Sequence, residues 1–191
     1  MKLAASQQLF AYWDALRGVR GAPERNDIEP GALRGVIADT FILEFSKADG
    51  FPLRVVGGRT NALFGRELRE TPFLGLWDAA SRNEIGRVIE SAADGAQPFL
   101  VGARGGPANV AALDFETLIL PLRHHGATHA RILGSLAPAG GAGWFGLLPL
   151  RPLVLTSLRA LARDPEIAFG AANLRKTPDR RAHLYVYSSS R

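Results

Sequence analysis

The sequence predicts an α+β domain: a five-stranded antiparallel sheet with short helices on one face, preceded by an N-terminal amphipathic helix. Three observations carry that expectation. Apolar residues recur at helical spacing near the start of the chain. They recur at period two in a pair of runs around Asp49-Gly50 and in three more runs after residue 97. The strongest helix pattern lies between the two strand groups. With 191 residues, 47% of them hydrophobic and 21% charged, the chain can bury one core without disulfide or metal staples.

Leu9, Phe10, Trp13 and Leu16 fall on one face of a helix that Ser6 is placed to cap and that runs to about Arg17. The following APERNDIEPGAL is dense in turn formers, and Pro30 suits the first position of a short helical turn to about Arg34. Residues 1–34 therefore read as a helix and an ordered connector. From Val36, Ile37, Phe41, Leu43 and Phe45 share one side of a strand, Asp49-Gly50 signals a hairpin turn, and Phe51, Leu53 and Val55 alternate on the return. Gly57-Gly58 ends that strand. A chain that must turn at once onto the face of its own sheet needs residues that tolerate unusual dihedrals. Thr60 then caps a short helical turn stopped by Gly65, with Leu63 and Phe64 directed inward.

Ser81 and Glu84 have capping-box spacing, and Ile85, Val88, Ile89 and Ala92 give the next helix an apolar face ending at Gly95. Strand candidates follow at 98–104, at 110–123 with Leu113, Phe115, Thr117 and Ile119 on one face, and at 128–137. They complete a core domain 35–138. In the last segment, 139–191, AGGAGWFG reads as a flexible hinge and 150–163 as an amphipathic helix with Leu155, Leu158 and Leu161 opposite Arg151, Arg159 and Arg163. Residues 174–191 read as a basic, loosely ordered tail.

The words YWDALRG, APERNDIEPGAL, FILEF, RVVGGRTNALFGREL, LDFETLILPLR and RILGSLAP occur in that order. Together they resemble the bacterial family of stand-alone, single PAS-domain proteins. The resemblance runs from about Leu9 to about Pro138. It is most distinctive in the connector, with Pro23, Arg25 and Pro30, and at the junction 54–68, with Arg54, Gly57, Phe64, Gly65 and Glu67. It implies a PAS fold and a non-catalytic cytoplasmic sensor or adaptor that informs a protein partner. The layout implies an inner wall of Phe41, Leu43, Val55, Leu63, Phe64, Trp77, Ile85, Ile89, Phe115 and Ile119, lining either a small-molecule pocket or a packed core. PAS domains commonly dimerise through the helix preceding the sheet, so the Phe10–Trp13 stripe is a candidate homodimer interface unless its own sheet buries it. In haem-binding PAS domains a His on the long helix holds the iron. The corresponding 81–94 has none, so haem is not expected and the ligand stays unidentified.

The chain has no cysteine, which excludes a disulfide, a thiolate metal ligand, a cysteine nucleophile, covalent flavin chemistry and a thioether-linked chromophore. His124, His125 and His129 cluster near Asp114 and Glu116, but their spacing around a turn predicts solvated histidines rather than a metal site. Asp114 and Glu116 share a strand face expected to be solvated. No G-x-S-x-G or phosphate-loop motif occurs, and Ser135 lies six residues, about 20 Å, along a strand from His129. Charges balance over residues 1–150, so the whole formal +5 belongs to 151–191. That tail could meet acidic partners, nucleic acid or a membrane surface, but its only aromatics are Phe169, Tyr185 and Tyr187, and nucleic-acid binding is not expected. No window is apolar enough to span a membrane and the start lacks a signal peptide's apolar stretch, which predicts a cytoplasmic location. The alternative is a small α+β cavity protein, a lipophilic-ligand carrier or an enzyme with an acid or base inside its cavity.

Overall fold

Strands β1 (Thr40–Glu44), β2 (Leu53–Val56), β3 (Phe99–Gly105), β4 (Leu113–His124), β5 (Ala127–Pro138) and β6 (Val154–Ala160) form one sheet in the order β2-β1-β5-β4-β3-β6. Every pairing is antiparallel. The computed structural model describes residues 1–161, without the side chains at 128 and 129. The β4–β5 turn places His125 at φ 51° and Gly126 at φ 80°, the doubly left-handed turn whose twist matches that of the flanking strands.

Five strands were expected and six are present among the described residues. The stretch read as a helix over 150–163 supplies β6, paired with β3, and the rest of that expectation, with the basic tail, lies outside the described residues. The reason is a bulge. Gly102 pairs with Ser157 and Ala103 with Leu155, leaving Thr156 as an extra residue. Leu155 and Leu158 both pack against the inner core although three residues apart, so the bulge imitates helical spacing. A second bulge does the same on β2. Ile42 pairs with Val55 and Leu43 with Leu53, so Arg54 is the extra residue and the expected Phe51–Leu53–Val55 alternation breaks. Val55 is turned out, 46% exposed, while Val56 packs on the inner core.

The two sheet faces bury separate clusters. Over the inner face lie α2 (Gly58–Phe64), α3 (Ala79–Gly95) and the chain from Pro138 to β6. The last was expected as a flexible hinge. Instead Trp144, Leu150 and Leu153 are buried in the inner core, and the N–H groups of Leu150 and Leu153 donate to the carbonyls of Leu63 at 2.8 Å and Leu76 at 2.9 Å. Over the outer face lies α1 (Ala4–Arg17), with Leu9 and Trp13 packed in one cluster with Leu118, Leu120, Leu122 and Leu133. Trp13 Nε1 donates to the Pro121 carbonyl at 2.8 Å. Of the helix stripe considered for dimerisation, Trp13 is thus taken up by its own sheet and Phe10 is half-buried beside it. With both faces covered, β4 is buried without a break from Thr117 to Leu122, the pattern of a central strand rather than a half-exposed one.

Three helix starts differ from expectation. Ser6 does not cap α1 but is buried inside it, Leu3 holding the cap position. Thr60 is likewise inside α2, which Gly57 precedes. At α3 the cap is Asp78, whose carboxylate accepts the Ser81 N–H at 3.1 Å, while Ser81 Oγ accepts the N–H of Leu155 at 2.9 Å and ties β6 to the helix. Gly65 ends α2 at φ 62° as expected.

The Gly57-Gly58 corner works by a different cause from the one expected. Gly57 has ordinary extended dihedrals, φ −71° and ψ 147°, and Gly58 is helical. What demands glycine is proximity: a Cβ at 57 would stand 2.4 Å from the carbonyl oxygens of both Ile37 and Ala38, whereas one at 58 would meet nothing within 4 Å. Gly57→Ala should therefore cost about 2–3 kcal/mol. Gly58→Ala should be neutral or stabilising by up to about 1 kcal/mol. Urea unfolding midpoints of the two variants compare them directly, and equal effects would refute the proximity argument.

Candidate functional site

Of the ten residues expected to line the inner wall, nine are buried within one cluster and Val55 is not, for the register reason above. Phe41 shows how closely the cluster packs. Its ring lies over Gly134 on β5, where an added Cβ would stand 2.3 Å from two ring atoms, and it contacts Phe73 at a centroid distance of 5.1 Å. Phe73 in turn meets the edge of Trp77 at 6.0 Å. Leu63 and Phe64, from the short α2, close over the same core. Two polar atoms interrupt this apolar packing. Trp77 Nε1 and Thr117 Oγ1 are buried with no hydrogen-bond partner, a condition that few buried polar groups share.

The junction motif is built from charges as well as glycines. The bulged Arg54 pairs with both Glu44 on β1 and Glu70, and Arg131 on β5 approaches Glu44 at 3.7 Å. Asn61 accepts the Leu68 N–H at 3.2 Å and donates to Glu67 at 2.9 Å. The Arg69 N–H and Asn61 together hold the Glu67 carboxyl below its usual range. Sequence reasoning missed Asp39. It is 2% exposed just before β1, and Arg59 on α2 donates to it at 2.6 Å. Burial pushes its carboxyl above the usual aspartate range, against the pull of Arg59. A lone acid in the apolar run VIADTF was the available signal.

In the connector, Pro23 is buried and its carbonyl accepts the Arg123 N–H at 2.8 Å, extending β4's end. Pro30 opens a 3-10 turn as expected, and Arg25 opens another, half-buried. Asp27 accepts from Arg20 at 2.9 Å and from the Glu24 N–H at 3.1 Å. These residues hold the connector against the sheet.

Glu116, expected on a solvated face, is instead the anchor of α1. Its two oxygens accept the N–H groups of Lys2 at 2.7 Å and Leu3 at 3.0 Å, doing at the helix start what Ser6 was expected to do. Burial works against the charged carboxyl, but these N–H groups together with the Ser6 side chain and the positive amino terminus outweigh it and hold Glu116 below the usual glutamate range. His124 and His125 sit at the hairpin turn with ring centroids 4.2 Å apart, and among the described residues no three metal-ligating side chains gather.

A family model described as a PAS domain matches residues 1–137. No curated protein matches the chain. Among solved structures, a point variant of RsLOV is similar at a TM-score of 0.44 and 14% identity, over 75% of this chain and 72% of that one. No helix among the described residues is long and apolar enough to cross a membrane.

The Glu116 contact has a pH consequence. Because its folded-state pKa is depressed, its contribution is present above the ordinary glutamate pKa and is lost as pH falls through the lowered one. Glu116→Gln should cost about 1 kcal/mol at pH 7. The gap between variant and native protein should close on acidification, as read by urea unfolding at pH 7 and pH 3.

Proposed function

The chain belongs to the PAS domain family, and from that premise we propose that it is a non-catalytic cytoplasmic regulatory protein that acts by docking a protein partner. The observation that carries this reading is the inner face. Phe41, Leu63, Phe64, Trp77, Ile89 and Phe115 are buried there in one cluster, with Phe41 closed down on Gly134 and Phe73, and Trp144 is added from beyond the matched residues. Such packing leaves the surface as the place where information is exchanged. Close packing there also weighs against a carrier, which needs an open hollow, and Asp39, the one titratable side chain buried among the described residues, is already paired with Arg59.

A second reading is favoured by one observation. Trp77 Nε1 and Thr117 Oγ1 are a buried donor and a buried hydroxyl without partners, and a small hydrogen-bonding ligand beside either atom would satisfy it. Native mass spectrometry of the protein purified from its own cell under mild conditions separates the two. Docking predicts a second protein at fixed stoichiometry and, after its removal, a mass equal to the chain alone. A stoichiometric small molecule with no accompanying protein would overturn docking in favour of the ligand reading. A dimer in the same spectrum would have to use a surface other than Leu9 and Trp13 of α1, which are buried on their own sheet.

A further inference from the structure

We infer that the outer face of β3 and β6 carries a site for a tetrahedral oxyanion of the phosphate type, centred on Gly102. The inference stands independently of how the inner face is used. α1 packs on β4 and β5, and beside it a hollow of about 550 Å³ opens over β3 and β6. Its floor is Gly102, which has no side chain. The Thr156 bulge turns two hydroxyls onto that bare position: a Cβ at 102 would lie 2.3 Å from Ser157 Oγ and 3.0 Å from Thr156 Oγ1.

Two arginines flank the same point. Arg104 stands two residues along β3 on the same face, and Arg159 on β6 lies opposite Leu100, two residues the other way. The two positions are about 13 Å apart along the strands, so two long side chains can converge from either end over Gly102. Both line the hollow, and neither guanidinium group has an ion-pair or hydrogen-bond partner among the described residues. Guanidinium groups with hydroxyls between them match the acceptor-only, multi-oxygen surface of a phosphate.

Two carboxylates share the hollow. Glu116, opposite Gly102, already has both oxygens on the backbone of Lys2 and Leu3. Asp114, opposite Arg104, makes no ion pair with it and so opposes an anion nearby. Half the site comes from β6, beyond the residues that the family model matches.

The test is calorimetric titration of the full chain with inorganic phosphate at low ionic strength, repeated with O-phosphoserine. Saturable binding is expected. Arg104→Gln and Arg159→Gln should each weaken it about tenfold. Asp114→Asn should tighten it, and Arg66→Gln, at an exposed arginine elsewhere, should leave it unchanged. Tighter binding of phosphoserine identifies a phosphate monoester as the ligand class, and tighter binding of inorganic phosphate identifies the free ion; either supports the site. Failure of both to saturate, or equal losses in all three arginine variants, overturns it. Should a glutamine variant not fold, Arg104→Lys or Arg159→Lys keeps the charge without the planar fork and should still weaken binding, and an unchanged affinity there also overturns the proposal.

Discussion

Burial of both faces of a single sheet is the constraint on which the rest of this structure depends. A sheet covered on one side needs only a layer of short helices. This one also needs α1 and the connector on the other side, and its central strand must be apolar in both directions. The run LILPL of β4 meets that requirement, with Ile119 entering the inner cluster and Leu118, Leu120 and Leu122 the outer. Because α1 is a layer of the core, its entry must be fixed. Trp13 Nε1 on the Pro121 carbonyl and Glu116 on the helix start fix its two ends to the same strand.

Much of this architecture was legible in the sequence because most elements obey one period throughout. The helix around Ile85 and Val88 and the strands around Phe115 and Ile132 read correctly because their apolar residues keep a single spacing, whereas the strand read from Val36 begins only at Thr40, after a 3-10 turn that leaves Ile37 exposed. Reading failed where a strand gains a residue. On β6 the extra Thr156 sets Leu155 and Leu158 three apart on one face, and on β2 the extra Arg54 sends Val55 outward. Both failures lie on edge strands, where bulges concentrate and where they hinder further strand addition.

Nine of the ten residues expected on the inner face are buried in one cluster, yet periodicity cannot separate residues around a hollow from residues that fill it. Glu116 and Asp39 were beyond reach for another reason. Each gains its meaning from a partner far away in sequence, Lys2 and Leu3 in one case and Arg59 in the other, and no local pattern records such contacts. Gly57 was identified correctly but for the wrong cause, since close approach of two backbones and a left-handed dihedral both select glycine.

Trp144, Leu150 and Leu153 give the inner core a dependence that its family resemblance conceals. A chain cut at Pro138 would keep every residue matched to the PAS family and lose the side chains that cover part of its interior, together with the partner of the Ser81 hydroxyl. The interior of this protein therefore extends past the residues that mark its family, and the last strand of its sheet lies among those added residues.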